Sequence, residues 1–191
     1  ISITSWLIDN GTDIPQCGAR LEMDYRSGQW GISIHDFKIT EDPTTTLFGL
    51  DYRYDGMVGL WTENSFKVFD FEESITSSMV GLDYTVPVFS GITLMLEYMQ
   101  IKNDLISDKQ IAIMSRMPLG MTHSLMLISS TDLLNNNRFN YVRLSALYDY
   151  FSINYMISIN PKRDEYSIPE ILPSSLIGFG TNFQVSIIYN H

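Results

Sequence analysis

The chain has 191 residues, of which 45% are hydrophobic, 13% aromatic and 18% charged, and 12 Lys+Arg against 22 Asp+Glu give a formal net charge of -10. That length holds one domain, or one contiguous piece of a larger one. The acidic balance excludes a nucleic-acid-binding role, which needs a basic face to displace counterions, and a basic amphipathic helix lying on anionic lipid. A single cysteine, Cys17, excludes an internal disulfide framework and a Cys-rich zinc site. The apolar and aromatic content excludes disorder. No apolar run is long enough for a transmembrane helix. No basic region followed by an apolar one opens the sequence, so no leader is expected within it.

From the first residues onward the periodicity is two. Ala19, Leu21, Met23 and Tyr25 alternate with Arg20, Glu22, Asp24 and Arg26. Phe48, Leu50, Tyr52 and Tyr54 alternate with Gly49, Asp51 and Arg53, and Val80, Leu82, Tyr84 and Val86 with Gly81, Asp83 and Thr85. Further on, Phe151, Ile153, Tyr155, Ile157 and Ile159 alternate with Ser152, Asn154, Met156 and Ser158. The last such run carries Phe179, Thr181, Phe183, Val185, Ile187 and Tyr189 on one side. Successive side chains of a strand point to opposite faces, so each run reads as a strand with one apolar and one polar or small face. No segment has convincing helical periodicity.

The expected strands lie near 1–8, 18–26, 30–39, 45–54, 56–65, 77–86, 91–101, 109–118, 121–130, 138–148, 150–160 and 175–190. Short connections fall at Arg26-Ser27-Gly28-Gln29, Tyr54-Asp55-Gly56, Pro87–Gly91, Pro118-Leu119-Gly120 and around Asp149-Tyr150. Gly, Asp and Pro supply the dihedral angles that tight turns demand. Long polar connections are expected at 9–17, 40–45, 65–77, 102–109, 130–138 and 161–175, alternating strictly with the short ones. A repeat overlies this pattern. An apolar residue followed by Asp-Tyr recurs at Met23-Asp24-Tyr25, Leu50-Asp51-Tyr52 and Leu82-Asp83-Tyr84, and less closely at Tyr148-Asp149-Tyr150. A period near thirty in an alternating sequence corresponds to one β-hairpin per repeat.

Alternation alone does not say which face is buried, because a soluble sandwich and a membrane barrel both alternate. Three features favour the barrel. The strands have the length of about 9–11 residues that a tilted strand needs to cross a bilayer core. The lysines (Lys38, Lys67, Lys102, Lys109 and Lys162) stand at strand ends or in loops, whereas soluble sheets spread them along solvent-facing edges. Aromatics gather by height. Tyr25, Trp30, Tyr52, Tyr54, Tyr84, Phe89, Tyr148, Tyr150, Phe151 and Tyr189 lie at the short-turn side, and Phe37, Phe66, Tyr98, Phe139 and Tyr141 at the long-loop side. Such belts suit the two membrane–water interfaces.

The Gly-Leu-Asp-Tyr repeats at 49–52 and 81–84 and the closing strand Phe179–Tyr189 resemble those of bacterial outer-membrane β-barrels of the porin-like type. The resemblance spans nearly the whole chain. It implies an all-β, antiparallel, up-and-down transmembrane barrel of about twelve strands, with short periplasmic turns, long extracellular loops and both termini in the periplasm. Residues 1–191 then form a single β-barrel domain, or, because Ile1 already stands in strand-like sequence, the C-terminal portion of a larger barrel.

On this reading the polar face lines the lumen and carries Arg20, Glu22, Asp24, Arg26, Asp51, Arg53, Asp83, Glu97, Arg116, Arg143 and Asp149. These groups either tune ion and solute selectivity or pair across strands to fill a narrow bore. The excess acid is expected in the loops around 70–73 and 164–170, where it would concentrate cations at the mouth. Asp70, Glu72 and Glu73 could alternatively hold a divalent cation, although a solvated charge cluster is the simpler reading. His123-Ser124 does not form a hydrolase pair, since neighbours in a strand point to opposite faces. No metal-ligand spacing and no phosphate loop occur, so neither metal nor cofactor is expected.

The expected function is a passive outer-membrane channel for ions or small hydrophilic solutes, in contact with outer-membrane lipid and without nucleic acid. The chief alternative is a barrel serving as sleeve or anchor for a protein partner such as an electron carrier. A barrel hydrolase and a soluble β-sandwich binding module rank behind. Whether the barrel forms a homo-oligomer is left open by the sequence.

Overall fold

The structure is a computed structural model and describes residues 1–9, 15–38, 44–69, 73–88, 90–103, 107–161 and 180–189. Twelve strands follow one another: β1 (Ser2–Ile8), β2 (Gln16–Tyr25), β3 (Gly28–Lys38), β4 (Thr44–Tyr54), β5 (Gly59–Phe69), β6 (Glu73–Val86), β7 (Ile92–Lys102), β8 (Ser107–Leu119), β9 (His123–Asp132), β10 (Arg138–Leu147), β11 (Phe151–Ile159) and β12 (Thr181–Tyr189). They form one sheet in which spatial order equals chain order, an antiparallel up-and-down meander. No helix occurs among the described residues. The all-β, antiparallel, up-and-down order of about twelve strands is the expected one. The chain divides into two compact units: unit 1 is Ile1–Leu82 with Glu97–Lys109, and unit 2 is Asp83–Leu96 with Gln110–His191.

Register builds two chemically opposite faces. In unit 1, cross-strand partners Ile3, Leu21, Ile32 and Leu50 form one row, and Ile34, Phe48 and Phe66 the next. In unit 2, Leu127, Val142, Ile157 and Phe183 stand side by side, as do Leu125, Leu144, Tyr155 and Val185. Polar and small side chains occupy the alternate positions. The burial of these faces is inverted relative to a water-soluble sheet. Leu50 is 46% exposed, Phe183 67% and Ile187 70%, while Ala146 is the one buried apolar side chain among the described residues. Asp51, Ser33, Ser65 and Asn154, by contrast, are half-buried. Among the described residues no apolar core is formed, and the large apolar side chains stand exposed on one face of the sheet.

The connections depart from the expected lengths. β5 runs on to Phe69 and β6 starts at Glu73, so the expected long connection at 65–77 shrinks to 70–72 and is shorter than the nominally short one at 87–91. Short and long connections therefore do not alternate strictly. The polar residues Thr62, Asn64, Ser65, Ser77 and Ser78 on either side of it lie within the strands: the Thr62 hydroxyl donates to the Met79 carbonyl at 2.9 Å, and Asn64 Nδ2 donates to Thr62 Oγ1. The Asn135-Asn136-Asn137 tract forms the β9–β10 turn. Asp132 accepts the backbone N–H groups of Leu134 and Asn135, and Asn136 takes the left-handed conformation (φ 59°).

At the short-turn side the aromatics meet on the apolar face. Trp30 and Tyr52 approach to 4.2 Å between ring centroids, and Tyr148 stacks on Phe151 at 4.8 Å. The long-loop group is divided. Phe139 and Tyr141 sit on the same face of β10 as Arg143, because residues two apart share a face; Phe66 stands on the apolar face. A uniform second belt is therefore not formed. Lys67, expected in the 65–77 connection, lies within β5, with its ammonium 4.5 Å from the Phe69 ring centroid.

Candidate functional site on the polar face

In unit 1 the polar face is organised around one arginine. Ser2, Glu22, Gly31, Asp51 and Glu63 are successive register partners across β1 to β5, so three carboxylates share one row. Arg20, from the next row, reaches two of them. Its Nη1 and Nη2 donate to Asp51 Oδ1 and Oδ2 at 2.8 and 2.9 Å, and its Nε donates to Glu22 Oε1 at 2.8 Å. Ser2 donates to Glu22 Oε2 at 3.1 Å. The bidentate fork spans from β2 to β4 across β3, and Gly31 makes that crossing possible, since a Cβ there would overlap both the guanidinium and the Asp51 carboxylate. This network borders a cavity of about 470 Å³ lined by Arg20, Asp51, Glu63 and the small side chains of Ser33, Ser65 and Ser77.

Glycine also governs where two of the three tryptophans lie. The Trp6 ring covers Gly18 and the Trp61 ring covers Gly81, both on the polar face. Trp6 meets His35 edge-on at 5.6 Å between centroids. Two bulky rings on a polar face narrow the space beside it, and they lie flat because the glycines beneath carry no side chain.

Unit 2 has a different polar face. Arg116, Met126, Arg143, Met156 and Gln184 are successive register partners across β8 to β12. No carboxylate stands in that row. Neither arginine makes an ion pair among the described residues, and Arg143 Nε is buried without a hydrogen-bond partner. The adjacent row is neutral, with Ser145 donating to Asn154 Oδ1 at 2.7 Å. Towards the short turns a second cavity, of about 380 Å³, opens between Thr85 and Thr93 on one side and Arg116, Thr122, His123 and Ser124 on the other.

Most of the residues singled out from sequence lie on this face. Arg20, Glu22 and Asp24 share one side of β2; Asp51 and Arg53 lie on the matching side of β4. Asp83 shares its side of β6 with Gly81, and Glu97 shares its side of β7 with Met99, which lines the larger cavity. Arg116 and Arg143 are in the arginine row. Two residues are placed otherwise. Arg26 is in the two-residue β2–β3 turn at φ 56°, with its guanidinium 5.3 Å from the Tyr25 ring centroid, because Tyr25 pairs with Gly28 and the turn must close between them. Asp149 is exposed in the bend between β10 and β11. Arg53 donates to Asp55 in the neighbouring turn at 2.9 Å.

Glu63 and Trp61 are members of the face that sequence reasoning missed. The alternation of β5 is diluted by Thr62 and Asn64 on its apolar side, which hides the odd-numbered polar series Trp61, Glu63, Ser65 and Lys67. The loop carboxylates Asp70, Glu72 and those at 164–170 lie outside the described residues, as does the side chain of Glu73. His123 Nδ1 is 2.8 Å from Thr122 Oγ1, its neighbour on the other side from Ser124. Among the described residues no group of three His, Cys, Asp or Glu is arranged to hold a metal ion.

No protein-family model matches the sequence, and no curated protein matches it. Among solved structures the chain is similar to a KdgM porin in complex with disordered oligogalacturonate, at 6% sequence identity and a TM-score of 0.41, over 82% of this chain and 87% of that one.

Proposed function

We propose that the chain is a porin-like outer-membrane β-barrel whose polar face lines a water-filled bore passing ions or small hydrophilic solutes. One observation carries this reading: large apolar side chains such as Leu50, Leu127, Phe183 and Ile187 stand exposed on one face of the sheet, while Arg20, Asp51, Ser33, Ser65 and Asn154 lie half-buried on the other. Water would penalise that outward surface by about 25 cal/mol for every Å² left uncovered, whereas lipid tails cover it at no such cost. Monomeric soluble proteins rarely expose an apolar patch beyond a few hundred Å². A bilayer leaves no strand edge unpaired, so this reading requires a closed barrel.

The wall groups support passage of polar solutes. A row of carboxylates partly neutralised by Arg20, and a second row of unneutralised arginines, offer weak exchangeable contacts along a hydrated surface. No step requires a cofactor. The test is conductance of detergent-folded protein in a planar bilayer, after unboiled and boiled samples have been shown to migrate differently in SDS. Stepwise single-channel currents are expected. A protein proven folded by the heat shift that passes no current would overturn the channel reading and favour a sleeve or anchor.

A further inference from the structure

The cavity of unit 2 between the β6–β7 and β8–β9 turns has an unusual lining. Its lining residues include Arg116, Thr85, Thr93, Thr122, His123 and Ser124, and no Asp or Glu. Asp83, two residues before Thr85 on the same side of β6, is not part of the lining. This absence runs against composition, since acids outnumber bases 22 to 12 in the chain. The arginine of unit 1 shows what the available acids do when they are placed within reach: Arg20 is saturated by Asp51 and Glu22. Arg116 has five N–H donors, accepts nothing, and has no ion-pair partner among the described residues. Arg143 lies two strands away in the same row, beyond Met126, and adds a second unneutralised positive charge to that face.

We infer that this cavity binds a small oxyanion of the phosphate class, held by the Arg116 guanidinium with threonine and serine hydroxyls completing the donor set. The planar fork of arginine matches two oxygens of a tetrahedral anion, and the hydroxyls can donate to the remaining ones. The volume of about 380 Å³ leaves room for phosphate and for a short organic substituent. A hydrogen bond between Thr85 and Thr93 at 3.3 Å already holds two of the hydroxyls side by side. Free phosphate and a phospholipid headgroup present the same chemistry here. The inference concerns unit 2 alone and goes beyond the channel reading, because a folded protein without conductance could still bind phosphate at this place.

The test is calorimetric titration of inorganic phosphate into the full chain folded in zwitterionic detergent, with the heat shift in SDS confirming the fold of every sample. Saturable binding is expected. Arg116→Gln should weaken it by roughly tenfold or more, as loss of a charge-assisted hydrogen-bond donor does. Arg116→Lys should fall between, and Arg53→Gln, in unit 1, should leave binding unchanged. If Arg116→Gln does not fold, Thr93→Val and Ser124→Ala carry the test, each reducing affinity by a smaller factor. Competition by phosphatidylglycerol added to the micelles would assign the site to a lipid headgroup, and absence of competition would assign it to a free anion. No saturable uptake by the unaltered protein, or equal uptake by folded Arg116→Gln, would overturn the inference.

Discussion

Units 1 and 2 each have an apolar face of the same kind and differ in their polar one. Both place rows of aliphatic and aromatic side chains outward by the same alternation, Ile3 to Leu50 in one and Leu125 to Val185 in the other. On the polar face, unit 1 gathers Glu22, Asp51 and Glu63 in one row and ties two of them to Arg20, whereas unit 2 sets Arg116 and Arg143 among methionines with no acid beside them. The apolar face repeats the same pattern in both units, whereas the polar face varies from hairpin to hairpin, and function is to be sought where it varies.

The largest expected effect tests the shared surface. Leu50→Arg and Val185→Arg, each in the middle of a strand, should both destabilise the protein by about 2–4 kcal/mol in urea titrations of lipid-reconstituted samples, because each buries a charge in hydrocarbon. A cost near zero for either would mean that its unit does not face lipid. Next comes glycine under tryptophan. Gly81→Ala forces the Trp61 ring off the sheet and should cost about 1–3 kcal/mol, with a shift in tryptophan emission in the same titration.

The contrast between the units is sharpened by removing charge from each. Asp51→Asn loses the bidentate contact of a half-exposed pair and should cost about 0.5–1 kcal/mol, and Gly31→Ala should cost a similar amount by obstructing the same crossing. Arg143→Met should be neutral or stabilising, because it replaces a guanidinium with an unsatisfied buried nitrogen by the side chain that flanks it on both sides. Equal losses at Asp51 and Arg143 would erase the distinction. The smallest effect is at the β2–β3 turn. Arg26→Gly relieves a left-handed residue worth about 1 kcal/mol and forfeits the contact with Tyr25, for a net gain of a few tenths of a kcal/mol.

Much of the fold was legible because a strand writes its two faces into the sequence at period two. Runs such as Phe48–Tyr54 and Phe151–Ile159 identify both the strand and the side that faces outward. The end of β5 and the start of β6 were placed in a long connection because Lys67 and the acids at 70–73 read as loop residues, although β5 runs to Phe69 and β6 starts at Glu73. Individual members of the polar face were legible for the same periodic reason. Their grouping was not, since Arg20 finds Asp51 through register across two strands and through the vacancy at Gly31. The sequence alone likewise could not show that Arg116 and Arg143 stand in one row without an acid, because that depends on pairing in β8, β9 and β10.

The central claim is that the apolar face meets lipid and the polar face does not, and the three tryptophans are placed to test it. Trp30 stands on the apolar face and is 42% exposed, while Trp6 and Trp61 lie over glycines on the polar face. Fluorescence in vesicles of brominated lipid, compared with unbrominated ones, reads contact between indole and acyl chain. The unaltered protein should be quenched, and Trp30→Phe, retaining Trp6 and Trp61, should lose nearly all of that quenching. Quenching that persists undiminished in a folded Trp30→Phe protein would put the polar face against lipid and contradict the account.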